Sequence, residues 1–137
     1  MPEIQTAADT PLLALLVEDD QHTREMYAQW LEFCGFRVAQ AETVDEAIEK
    51  TLRLHPHIVA TDIGLPGDGG DGCDLCQRLK SDHRTRAIPV IAVTAWTMGG
   101  HIERAREAGC DSVLIKPCLP EDLLAEIQRL LPQSKKH

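Results

Sequence analysis

The stretch HIVATDIGLPGDGGDG, residues 57–72, runs an apolar segment straight into Asp62 and then into a glycine-rich loop. An isolated carboxylate aimed out of the end of a buried strand is a candidate for chemistry. Three other apolar segments end in the same manner. LLALLVEDD ends in Glu18, Asp19 and Asp20, VIAVTA ends in Thr94 and Ala95, and VLIKP ends in Lys116 and Pro117. Carboxylates brought together repel one another unless they are protonated or share a cation. Their oxygen ligands suit the hard cation Mg²⁺, which keeps some waters and often bridges to phosphate. Lys116 adds an ammonium point charge and Thr94 a hydroxyl donor. A cation, an ammonium and a hydroxyl around one carboxylate are suited to holding a phosphoryl group on it. Stabilising the charge on the equatorial oxygens is most of what phosphoryl transfer requires.

Those residues meet only if the intervening elements place them. PLLALLVE reads as a buried strand, because a short apolar run without alternation suits a sheet covered on both faces. REMYAQWLEFCG has helical spacing and ends at Gly35. FRVAQA is a second strand, and a helix follows with Thr43 and Glu46 as a capping box. HIVATD, PVIAVTA and DSVLIK are the third, fourth and fifth strands. CDLCQRLKS, HIERAREAG and PEDLLAEIQRLL are the remaining helices, the last with Pro120 in its first turn. Strict alternation of strand and helix predicts a parallel sheet with helices on both faces. In the doubly wound order 2-1-3-4-5, strands one and three are neighbours at the switch point, so Glu18, Asp19 and Asp62 converge there.

The chain has 137 residues and is 43% apolar, enough for one domain with a real core. We read residues 1–10 as a flexible lead, 11–132 as the domain and 133–137 as a flexible tail. No apolar run approaches a membrane span, and the N-terminus does not resemble a signal peptide. A formal charge of −8 opposes a nucleic-acid surface and suits metal cations or a basic protein partner. Five cysteines, an odd number, suggest reduced thiols in the cytoplasm. Cys73 and Cys76 have C-x-x-C spacing but no second pair and no suitable helix start. They read as two partly buried positions rather than a zinc or redox motif.

Taken in order, LLVEDD, ATDIGLP, VIAVTA and VLIKP resemble the motifs of receiver domains of two-component response regulators, and the likeness spans Leu12 to Leu131. The resemblance implies a (βα)5 flavodoxin-like three-layer sandwich. It implies that Asp62 is the phosphoacceptor, that Glu18 and Asp19 position Mg²⁺, and that Gly64 lends it a backbone carbonyl. Thr94 takes the place of the switch hydroxyl and Lys116 that of the invariant lysine, with a cis peptide at Lys116–Pro117. Asp20 falls to capping the first helix. Implied partners are a sensor histidine kinase or histidine phosphotransfer protein, and a downstream protein met by the face of the fourth helix, fifth strand and fifth helix. Homodimerisation stays open, and neither nucleic acid nor membrane is expected.

Three positions depart from the pattern. The loop from Pro66 to Gly72 is about two residues longer than the family's pattern, a change that surface loops tolerate. Val113 stands where strand five normally carries an aromatic, so coupling is not expected to use a ring rotamer. Cys118 replaces a common Phe. An aspartyl phosphatase is disfavoured because Gly64 takes the place of its general acid. A flavin carrier is disfavoured because EDD would repel the cofactor's phosphate. Self-catalysed transfer and slow dephosphorylation, with no enzymatic turnover, are the expectation, with Trp96 covering the water path.

Overall fold

The structure is a computed structural model that describes residues 10–95 and 98–132. The readings that fall on Trp96, on residues 1–9 and on residues 133–137 lie outside them. In chain order the elements are β1 (Leu13–Val17), α1 (Gln21–Phe33), β2 (Arg37–Ala41), α2 (Val44–Leu54), β3 (Ile58–Asp62), α3 (Gly72–Ser81), β4 (Val90–Thr94), α4 (His101–Glu107), β5 (Ser112–Ile115) and α5 (Pro120–Leu130). All strand pairs are parallel and the order is β2-β1-β3-β4-β5.

Alternation along each strand divides the core into two layers. Ala14 and Leu16 of β1, Ile58 and Ala60 of β3, and Ile91 and Val93 of β4 pack with Tyr27 and Leu31 of α1 and Leu123 and Ile127 of α5. The intervening residues Leu15, Val17, Val59 and Val90 pack on the opposite side with Val44, Ala47, Leu75 and Leu79 of α2 and α3. Ala92 completes that side with Ala105 of α4. Helices therefore cover both faces, and the central strands bury every apolar side chain they carry. This is why their sequences are unbroken apolar runs.

The helix ends follow local chemistry. Asp20 caps α1, its carboxylate accepting from the Thr23 N–H at 2.9 Å. Its carboxyl is held below the usual range by the Thr23 hydroxyl and amide. Gly35 takes φ 102°, just past the C-cap, a conformation that favours glycine. The expected capping box of α2 is half made. Thr43 accepts from the Glu46 N–H at 3.2 Å, but the Glu46 carboxylate turns to the N–H of Glu42 at 2.8 Å. A full box forms instead on α3, where Asp71 accepts from the amides of Cys73 and Asp74 and Asp74 accepts from that of Asp71. Cys73 and Cys76 are fully buried rather than partly so, because that helix turns both toward the sheet.

Candidate functional site

Two adjacent strands deliver the carboxylates. Val17 pairs with Thr61, so Glu18 and Asp62 are the next residues of β1 and β3 at their carboxyl ends. Pleat parity puts Glu18 and Asp62 on the α1/α5 side of the sheet, together with Lys116, which follows the partly buried Leu114 of β5 by two. Carboxylate oxygens of Glu18, Asp19 and Asp62 lie within 4.8 Å of one another. Lys116 Nζ stands 3.5 Å from Asp62 Oδ2 and 3.4 Å from Glu18 Oε1. It lies just past β5 rather than on it, and the Lys116–Pro117 bond is cis, as the resemblance implied.

The charges perturb one another. Glu18 is 8% exposed. Burial pushes its carboxyl up, reinforced by the Asp62 charge, against the Asp20 amide and Lys116, which favour the ionised form. Burial works to lower Lys116, but attraction first to Asp62 and then to Glu18 outweighs it and holds the ammonium up. The site therefore combines an excess of carboxylate oxygen with a fixed ammonium, and the buried Glu18 gives up its proton less readily than a free carboxyl. Three converging oxygen donors around that excess charge fit a hard divalent cation. Among the described residues no other such grouping of His, Cys, Asp and Glu occurs.

Thr94 ends β4 and is buried, one residue past the Asp62–Val93 pair. Its parity is opposite to that of Val93, so it belongs to the α3/α4 side of the sheet. The Lys116 amide donates to the Thr94 carbonyl at 2.8 Å, which ties the two strand ends together. Gly64 is half-buried in the loop that leaves β3. That loop returns at Gly72, whose N–H donates to the Ile63 carbonyl at 2.7 Å. A Cβ on Gly72 would sit 2.2 Å from the Asp62 carbonyl oxygen, so only glycine lets α3 start against the backbone of Asp62. Arg104 of α4 then clamps the loop end, donating to Asp71 at 2.8 Å and to Asp74 at 3.3 Å.

Two residues that sequence reasoning missed support the site from below. Arg24 is 7% exposed. It donates to the Glu18 carbonyl and to the Gln40 side chain, each at 2.8 Å, so the end of β1 is fixed to β2 and α1. The Tyr27 hydroxyl donates to the carbonyl of Cys118 and holds the turn after Lys116. A helical arginine reads as solvated, and nothing local in the sequence flags Arg24, because its partners lie on β2 and at the end of β1. A cavity of about 20 Å³ between Glu18, Arg24, Tyr27, Asp62 and Lys116 is large enough for one water.

A doubly wound parallel sheet with an acidic pocket at its switch point defines the class: an α/β protein whose carboxylate cluster sits at the carboxyl ends of β1 and β3. The chain belongs to the response regulator receiver domain family, which matches residues 14–128. It is therefore a receiver domain of two-component signalling, a class that interacts with histidine kinases and downstream targets. The polar-differentiation response regulator DivK of Brucella ovis is 34% identical over 103 residues, covering 75% of this chain and 82% of that protein. A CheY-like response regulator receiver domain protein from Methanospirillum hungatei is 27% identical with a TM-score of 0.82, covering 91% of this chain and 97% of that one. The receiver domain of a sensor histidine kinase from Pseudomonas aeruginosa, described with a magnesium ion coordinated in its active-site cleft, is 26% identical with a TM-score of 0.81. The match covers 89% of this chain and 98% of that one. No helix among the described residues is long and apolar enough to cross a membrane.

Proposed function

We propose that Asp62 accepts a phosphoryl group from the phosphohistidine of a sensor histidine kinase or a histidine phosphotransfer protein, and that the chain then signals through protein contacts. The convergence of Glu18, Asp19 and Asp62 with Lys116 carries this reading. A carboxylate oxygen of Asp62 attacks phosphorus, and the electrons of the breaking P–N bond return to the donor imidazole. Lys116, already beside Asp62, balances the charge that gathers on the phosphoryl oxygens. Glu18, Asp19, Asp62 and the Gly64 carbonyl would hold Mg²⁺, which when bound supplies further positive charge to those oxygens. The Thr94 hydroxyl, on the α3/α4 side of the sheet, serves as a donor to one of them once the end of β4 reorganises.

Phosphorylation takes the Asp62 side chain from about −1 to nearly −2. The reorganised segment after β4 then bears on α4, β5 and α5, the face offered to a downstream protein. Gly64 has no side chain to orient a water, so the phosphoryl group leaves slowly and the chain turns over no substrate of its own. A cytoplasmic setting fits a partner kinase and reduced thiols.

Incubation with acetyl phosphate and Mg²⁺ should add one phosphoryl mass. Asp62→Asn and metal-free buffer should each abolish the addition, and Asp19→Asn should reduce it without unfolding the chain. Equal phosphorylation of Asp62→Asn would overturn the assignment.

A further inference from the structure

Cys76 and Cys110 meet far from the acidic site. Cys76 is fully buried on the inner side of α3, and half-buried Cys110 packs against the same core cluster. The two residues pack into the same cluster of side chains between α3 and the sheet. The backbones around them are held in register. One turn along α3 from Cys76, Lys80 pairs with Asp111 at 2.8 Å, so the i and i+4 residues of the helix face two consecutive residues of the other segment. A Cβ on Gly109, which adopts φ +101°, would lie 3.0 Å from Lys80 Cγ. Cys110 itself is fixed by its N–H, which donates to the Ala105 carbonyl at 3.1 Å, closing the end of α4.

We propose that Cys76 and Cys110 form an oxidisable dithiol, a modification site whose disulfide staples α3 to the segment between α4 and β5. Cys73 lies one turn earlier on α3 and also packs near Cys110, but among the described residues no three sulfur ligands converge, so the pair is not a metal site.

With a peroxide as oxidant, the reaction starts at Cys110, the less buried of the two residues, once it has lost its proton. Its thiolate attacks one peroxide oxygen, the O–O bond breaks, and a sulfenic acid and a water form once the leaving hydroxide is protonated. The Cys76 sulfur then attacks the Cys110 sulfur. The S–S bond forms, the S–O bond breaks, and the hydroxyl leaves as water with a proton. Two thiols are oxidised by two electrons, one peroxide is reduced, and two waters result. A thiol reductant reverses the modification.

The folded full chain is treated with hydrogen peroxide, quenched, denatured and alkylated. Titratable thiols should fall from the five in the sequence to three, and digestion should yield a linked peptide holding Cys76 and Cys110. Dithiothreitol should restore all five. Cys34→Ser should still form the link, whereas Cys110→Ser and Cys76→Ala should not. Because Cys110 is half-buried, Cys110→Ser is the variant least prone to unfold, and circular dichroism confirms its fold. The oxidised chain should melt at a higher temperature than the reduced one. Alkylation of both Cys76 and Cys110 after exposure to peroxide would overturn the proposal. So would a link through Cys73, or products confined to exposed Cys34.

Discussion

The ammonium of Lys116 lies 3.5 Å from the carboxylate of Asp62, and it reaches there from the loop beyond the edge strand, across β4. It is the cation that keeps the acidic pocket from overcharging before any metal arrives. The same contact sets a competition, because a divalent cation and Lys116 draw on the same oxygens.

Lys116→Met should therefore tighten Mg²⁺ binding, by about tenfold in Kd or about 1.4 kcal/mol, since one opposing charge is removed a few ångströms from the metal. Phosphorylation by acetyl phosphate should nevertheless slow by about a hundredfold, because the donor to the phosphoryl oxygens is lost. Calorimetric titration and intact mass read the two effects separately. A variant that binds Mg²⁺ more weakly and phosphorylates normally would contradict the balance described for Lys116.

Glu18 gives the site a pH dependence. Its carboxyl is held above its ordinary value of 4.5 by burial, with Asp62 adding to it. The folded state thus binds this proton more tightly than the unfolded chain does. Stability from this group is fully present below the ordinary value and is lost as pH rises through the folded one. In metal-free buffer at neutral pH, Glu18→Gln should raise Tm by about 3 °C, the shift expected for roughly 1 kcal/mol in a domain of this size. The gap should close as pH is lowered toward 4.5, and thermal melts across the range would show it.

The loop after β3 offers a matched pair of glycines. Gly72→Ala would force a methyl against the Asp62 carbonyl and the Ile63 Cα, and should cost about 3 kcal/mol or more with a parallel loss of phosphorylation. Gly67, with φ +97° and open space around it, should cost only about 1 kcal/mol on the same change. Urea denaturation of both variants measures the contrast. Equal costs would mean that the close approach at Asp62 does not govern how α3 is seated.

Arg24→Gln removes a buried guanidinium that holds the Glu18 carbonyl and Gln40. It should destabilise the chain by about 2 kcal/mol. It should also weaken Mg²⁺ binding severalfold, since the end of β1 is no longer fixed. An unchanged Kd in a folded variant would assign Arg24 to stability alone.

How much of this was legible beforehand depends on range. Strand ends were readable because each apolar run stops at a chemically distinct residue, and four such stops in order place Glu18, Asp62, Thr94 and Lys116 without coordinates. The caps at Asp20 and Thr43 were readable because capping is local. The half-made box at Glu46 was not, since its carboxylate had two amides within reach and took the earlier one. Arg24 and Tyr27 were missed because their partners are backbone carbonyls of β1 and of the turn at Cys118, contacts that only the folded chain creates. The meeting of Cys76 with Cys110 escaped for the same reason. C-x-x-C spacing drew attention to Cys73 and Cys76 as a pair, while the cysteine that packs beside Cys76 from another element is Cys110.

The most direct measurement is to locate the phosphoryl group itself. The chain, phosphorylated by a phosphohistidine donor in Mg²⁺, is reduced with borohydride, which converts an acyl phosphate to the alcohol, and is then digested and sequenced by mass spectrometry. The account predicts homoserine at position 62 alone, absent without donor or metal. Reduction at Asp19 or Glu18 instead, or a modified Asp62→Asn chain, would contradict it.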